Sequence, residues 1–134
     1  MKYIPHVVSG LLGLLFVFSG VVVLFKLVPM PPPPEGTLPA LFFGAFGPTG
    51  YLTFVKVFEV IGGVLVAIPL TRNLGLLVLG PIIVNILAFH AFITKGEGLF
   101  SPMIILIVVF ALYLLWAERR AFAGLVTRPA EIKH

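Results

Sequence analysis

Four apolar segments, each close to the length of a bilayer span, dominate this chain of 134 residues. A spanning helix needs about 20 residues, within a range of about 17–25. The segments cover residues 5–28, 51–70, 74–94 and 102–120. None of them alternates apolar and polar residues as the strand of a membrane barrel does. In hydrocarbon the backbone groups can form hydrogen bonds only with one another, so we predict helices. Charged residues make up 10% of the chain, against about 25% in soluble domains, which argues against a soluble core.

We predict one all-α domain over residues 1–134, an integral membrane antiparallel four-helix bundle. The connections at 71–73 and 95–101 are short, and the fourth helix is expected to continue through "AERRAF". The first loop, 29–50, is long, and its proline run favours polyproline II. The following "LPALFFGAFG" is too short to span, so we predict a partly interfacial or re-entrant segment. The small residues of the first segment are expected to pack against a neighbouring helix: Ser9, Gly10, Gly13 and Gly20.

Lysine and arginine predict the orientation. With four spans, both termini and the 71–73 loop share one side of the membrane. That side carries Lys2, Arg72, Arg119, Arg120, Arg128 and Lys133, whereas the other side has Lys95 in a loop and Lys26 close to its boundary. The positive-inside rule then places both termini, including a tail over 121–134, in the cytoplasm of a bacterial-type inner membrane.

Six polar residues of the spans are candidate ligand-binding residues. With a rise of about 1.5 Å per residue, three segments place polar side chains in the outer half of the bundle, at depths of up to about 13 Å. They are Glu59, His90, Lys56, Asn85, Lys26 and Ser19. We predict that Glu59 faces the bundle interior and touches Lys56 or Asn85, because exposure to lipid at that depth is too costly.

Two interpretations of these residues stay open. A Lys–Glu pair and an asparagine can hold helices together, and Lys26 can extend outward as a boundary anchor. A carboxylate near mid-membrane, however, is a functional hypothesis by default. Glu59 is therefore expected to take part in a site, with His90 as a proton acceptor and donor near physiological pH.

Several chemistries find no support. The chain has no cysteine, which excludes thiolate-bound iron–sulfur clusters and Cys-ligated haem. His6 and His90 are predicted at opposite ends of the bundle, so we do not expect haem, nor any metal site. Neither a nucleotide loop nor a Ser/His/Asp set is present, and we expect no independent catalytic activity. The net charge of +4 comes from residues that flank the spans, which indicates membrane topology rather than nucleic-acid binding.

Three stretches together resemble the DoxX and DoxX-like membrane proteins. They are "FSGVVVLFK" at 18–26, "KVFEVIGGVLVAIPLTR" at 56–72 and "GPIIVNILAFHAF" at 80–92, and the resemblance covers about residues 5–122. It implies a small four-helix bundle and marks five of the candidates: Lys26, Lys56, Glu59, Asn85 and His90. Family members include a subunit associated with a quinone-linked oxidoreductase, and distant relatives are assembly chaperones. The resemblance brings no cofactor motif with it.

Three functions remain open at this point. The first is an accessory subunit of a membrane redox complex, with a quinone or lipid head group near Glu59 and His90. The second is an assembly or chaperone-type scaffold that holds partners with its long loop. The third, a small proton-coupled transporter, fits less well, because the small multidrug-resistance proteins have their buried glutamate in the first span, and here it lies in the second. The expected partners are the lipid bilayer and either other membrane subunits or further copies of this chain.

Overall fold

The computed structural model describes residues 2–29 and 31–127, and every regular element within them is helical. Two helical turns of other types flank the fourth α-helix: a 3-10 turn, Pro69–Thr71, precedes it, and a π-helical turn, Phe89–Ile93, follows it. The α-helices are α1 (Ile4–Leu24), α2 (Leu38–Phe46), α3 (Tyr51–Ala67), α4 (Arg72–Ala88), α5 (Pro102–Ala117) and α6 (Arg119–Val126).

The four longest helices share one apolar core. Helix α1 packs against α3 and α5, and α4 packs against the same two helices. The core residues are Leu12, Phe16, Val66, Leu76, Leu79, Ile83, Ile107, Ala111 and Leu114. Most other large apolar side chains of these helices point outward and are exposed, among them Leu14, Phe18, Val84 and Leu112. An apolar exterior around an apolar core is what a bilayer, rather than water, favours.

Two helices are long and apolar enough to cross a membrane, and the number rises to four if each of two bent helix pairs is one span. The two unbroken helices are Ile4–Leu24 and Pro69–Ile93. The bent pairs are α2 with α3, at 83°, and α5 with α6, at 77°. The described residues are therefore all-helical, and two to four of their helices have the length and apolar composition to span a membrane.

Glycines set the distance between α1 and α3. A Cβ atom built on Gly63 would lie 2.8 Å from the carbonyl oxygen of Gly13 and 3.0 Å from a methyl carbon of Val17. Gly20 likewise faces Val60 with no room for a side chain. Small residues thus let the two backbones approach closely, as the sequence predicts. Gly10 is the exception, because a Cβ atom there would meet nothing within 4 Å.

The predicted continuous helix through "AERRAF" is wrong. Helix α5 ends at Ala117, and α6 leaves at 77° to it. The guanidinium of Arg119 donates a hydrogen bond of 2.9 Å to the Trp116 carbonyl and lies 4.6 Å from the centre of the Trp116 ring. Glu118, at the corner, pairs with Arg72 of α4. These side-chain contacts hold the corner in place of the next helical turn. The predicted cytoplasmic tail lies outside the described residues from position 128 onward.

The turn between α3 and α4 also differs from the predicted 71–73 loop. Ile68 is extended (φ −88°, ψ 123°), as expected for a residue before proline, so α3 ends at Ala67. The hydroxyl of Thr71 donates to the Leu65 carbonyl at 2.7 Å and closes the turn. Arg72 therefore begins α4 and is buried, with 5% of its surface exposed, instead of lying in a solvated loop.

Candidate functional site

A cavity of about 750 Å³ lies among α1, α3, α4 and α5, beneath α2. Its walls are mostly aliphatic and aromatic, and five of the six candidates line it: Ser19, Lys56, Glu59, Asn85 and His90. Pockets for small molecules usually measure about 300–1,000 Å³ and combine apolar walls with a few polar groups. The cavity has the size and lining of a ligand site.

The Lys56–Glu59 ion pair is the charged element of the cavity wall. Lys56 Nζ lies 3.0 Å from Glu59 Oε2, one helical turn away on α3. The Glu59 side chain is 4% exposed and that of Lys56 22%. The prediction that Glu59 faces the interior and touches Lys56 is confirmed. Pairing lowers the free energy of burying each charge and leaves two donors of the ammonium group for another partner.

Asn85 and His90 also line the cavity. Among the described residues, neither forms a hydrogen bond with Glu59. Asn85 Nδ2 donates to the Pro81 carbonyl at 2.8 Å. His90 Nδ1 lies 2.8 Å from the Ile86 carbonyl, and since a carbonyl only accepts, Nδ1 is the donor. The other ring edge, Cδ2–Nε2, faces Gly98 of the following loop.

A π-helical turn, Phe89–Ile93, carries His90. On an ideal α-helix, positions 85 and 90 point about 140° apart, yet both residues line the cavity. The turn Phe89–Ile93 widens the helix at this point, and such π-bulges often occur at functional sites. The sequence offers no reliable signal for this turn.

Aromatic rings form the roof of the cavity. Phe42 of α2 lies 4.7 Å from Phe46 and 4.7 Å from Phe89, measured between ring centres. Phe46 in turn lies 4.6 Å from Tyr51, at the start of α3. All four rings line the cavity. The distances between their centres fall in the range that favours aromatic pairs, and these contacts hold α2 over the cavity.

Two candidates differ in their positions. Ser19 is half-buried on α1 and lines the cavity. Lys26 follows the end of α1 in a left-handed conformation (φ 52°), is exposed and does not line the cavity. Its position agrees with the boundary-anchor interpretation. In the part of the chain that the structure describes, no group of three His, Cys, Asp or Glu residues could hold a metal ion.

Sequence reasoning missed a second polar cluster at the opposite end of the bundle. Arg72 Nη2 lies 2.9 Å from His6 Nδ1, and Nη1 lies 3.7 Å from Glu118 Oε1. A guanidinium only donates, so His6 accepts at Nδ1 and carries its proton on Nε2. The three residues come from α1, α4 and the α5–α6 corner. The sequence predicts all three at the cytoplasmic ends of their spans, and this shared position could have identified them as one cluster.

One protein resembles part of this chain. The chain is similar to the uncharacterized protein YwoB of Bacillus subtilis (strain 168), with 36% identity over 75 residues. These residues are 56% of this chain and 47% of YwoB, so the chain spans about half the length of that relative. No protein-family model matches the chain, and no solved structure matches it.

Proposed function

We propose that the protein binds the head group of a quinone-type amphiphile in the cavity, as an accessory subunit of a quinone-linked membrane redox complex. The observation that carries this proposal is the buried Lys56–Glu59 pair in the wall of an otherwise apolar cavity of about 750 Å³. A purely structural pair needs no such space beside it.

The polar groups suit both redox states of such a head group. The carbonyl oxygens of a quinone accept hydrogen bonds, and Lys56 and Ser19 can donate them. The hydroxyl groups of the reduced form donate, and the Glu59 carboxylate and the amide oxygen of Asn85 can accept. The ring itself would pack against the aromatic roof, where offset and edge-to-face contacts stabilise it.

The architecture belongs to the same proposal. We infer an antiparallel four-helix bundle of the DoxX-like type, in which α1, α3, α4 and α5 cross a bacterial-type inner membrane with both termini in the cytoplasm. The closed set of contacts among these helices and their apolar exterior support it. Partner subunits or further copies of the chain would then bind in the plane of the membrane.

A titration tests the head-group site. The protein is reconstituted in phosphatidylcholine nanodiscs and titrated with the reduced, hydroquinone form of dimethoxy-methyl-benzoquinone, the head group of ubiquinone without its tail, because its hydroxyl groups can donate to Glu59 and the carbonyls of the oxidised form cannot. Wild type should bind, and Glu59→Gln should bind about 10–150-fold more weakly, the range expected from losing a charge-assisted hydrogen bond of about 1.5–3 kcal/mol.

Glu97→Gln is the matched control, because Glu97 is an exposed glutamate in the loop after the π-helical turn. It should bind as wild type does. Absence of binding to wild type, or equal binding by wild type and Glu59→Gln, would refute the proposed site.

A further inference from the structure

We propose that the cavity opens sideways, between α4 and α5, and that its ligand is an amphiphile whose hydrocarbon tail leaves through this lateral opening into the bilayer. This inference rests on the proposed function and names the class of ligand. Four residues form the lateral opening: Pro81, Asn85, Phe92 and Met103.

These four residues line the cavity and are exposed, as are two residues at the roof, Phe43 (40%) and Tyr51 (51%). Phe92 is 76% exposed and Met103 44%, and Pro81 and Asn85 also fall in the exposed class. On α4 they continue the outward-facing row that contains Leu77 and Val84, at helical spacings of three and four residues. A residue that belongs to both surfaces marks the edge of an opening.

The wall between α1 and α3 is closed, and so is the floor of the cavity. Between α1 and α3, Gly20 meets Val60 without space for a side chain, and Phe16 below is buried. Ile107 of α5 is buried in the core beneath the cavity. Of the neighbouring pairs among the four long helices, α4 and α5 pack least closely. The side between α4 and α5 is therefore the most loosely packed of the walls between these helices.

The chemistry of the lateral opening selects an amphiphile. Proline, phenylalanine and methionine form an apolar lip that suits a hydrocarbon chain, and methionine adapts to irregular shapes. Asn85 is the polar residue among the four that form the lateral opening. Its Nδ2 donates to the Pro81 carbonyl, and its amide oxygen accepts no hydrogen bond from the described residues. It can meet a head group on the way to Lys56 and Glu59. A water-soluble ligand would require a polar lip.

The depth of the lateral opening agrees with this. Asn85 lies eight residues before Ile93, where the candidate span Pro69–Ile93 ends, which is about 12 Å along the helix. In a bilayer with a hydrocarbon core of about 30 Å, that position faces acyl chains and not head groups. A ligand that entered here would arrive from the hydrocarbon side.

The test compares two ligands and two tryptophan variants in phosphatidylcholine nanodiscs. The ligands are the tail-less head group and the same head group bearing a decyl chain, both in the reduced form. Met103→Trp fills the lateral opening, whereas Leu112→Trp places an equal bulk on the exposed face of α5, at a residue that does not line the cavity. Affinities are compared within one lipid, so that partitioning of the decyl ligand cancels.

Met103→Trp should weaken binding of the decyl quinone about tenfold, the fold-change expected when about two methylene groups lose their burial. It should leave the tail-less quinone unaffected, and Leu112→Trp should change neither. If Met103→Trp does not fold, Phe92→Ala on the opposite lip should selectively weaken the decyl ligand. Equal effects on both ligands, or none on the decyl quinone, would overturn the lateral opening while leaving the head-group site intact. Failure of wild type to bind the tail-less quinone would instead count against the proposed function.

Discussion

Replacing Gly63 by alanine should destabilise the bundle, although alanine is the better helix former. The added Cβ would lie 2.8 Å from the carbonyl oxygen of Gly13. Carbon–oxygen contacts across helix interfaces usually begin near about 3.3 Å, so α1 and α3 would have to separate by roughly 0.5 Å. The added methyl group cannot shift sideways, because Val17 and Phe16 lie only 3.0 Å and 3.2 Å from the same Cβ.

The size of the effect follows from two opposing terms. Inserting a methyl group into a tightly packed interface costs about 1–3 kcal/mol. Removing a glycine from a helix interior returns about 0.5–1 kcal/mol. We expect Gly63→Ala to lower the free energy of unfolding by about 1–2 kcal/mol. Gly10→Ala is the matched control on α1, because nothing lies within 4 Å of its Cβ, and it should be neutral or stabilising.

Unfolding in mixed micelles of increasing sodium dodecyl sulfate content, followed by circular dichroism, measures both variants against wild type. Gly63→Ala should unfold at a lower detergent fraction than Gly10→Ala. The reasoning fails if Gly63→Ala is as stable as Gly10→Ala, because the α1–α3 contact would then be looser than the structure has it.

Three further predictions concern the site, the second polar cluster and the topology. Asn85→Leu should weaken binding of the reduced tail-less head group several-fold, because it removes the amide oxygen that is proposed to accept from a hydroxyl group, while the melting temperature stays close to that of wild type; a proportional loss of both would indicate helix packing alone. Arg72→Met should lower the free energy of unfolding by about 0.5–1.5 kcal/mol, the net contribution of a hydrogen bond, because Glu118 and His6 lose their donor but are exposed enough to bind water instead, and an unchanged thermal melt would contradict this. Cysteines introduced at Glu97 and Thr127, in a chain without native cysteine, should label from opposite faces of the membrane, with Glu97 outside; labelling of both from outside intact cells would contradict the predicted orientation.

Much of the helical layout was predictable because it depends on local properties. Apolar runs of span length predict helices in any bilayer-like setting, and a constant rise per residue places side chains at comparable depths. The Lys56–Glu59 contact needs only a spacing of three residues on one helix. For the same reason, the glycines that face α3 from α1 could be identified before their partner residues were known.

The features that sequence reasoning missed depend on contacts between distant parts of the chain. The α5–α6 corner is fixed by Arg119 against Trp116 and by Glu118 against Arg72, and no local propensity predicts the second contact. The π-helical turn that carries His90 is likewise a departure from regular α-helix geometry that periodicity does not encode. The lateral opening appears only when α4 and α5 are seen together.

Native mass spectrometry of the protein purified from its own membranes, beside Glu59→Gln prepared in the same way, shows whether the cavity holds an amphiphile. A site for an amphiphile in the cavity predicts one small molecule bound in a one-to-one ratio to wild type, with a mass that includes a hydrocarbon tail. Glu59→Gln, folded to the same extent by circular dichroism, should have lost it. Bulk phospholipid alone on both proteins, or the same bound molecule on both, would contradict the account.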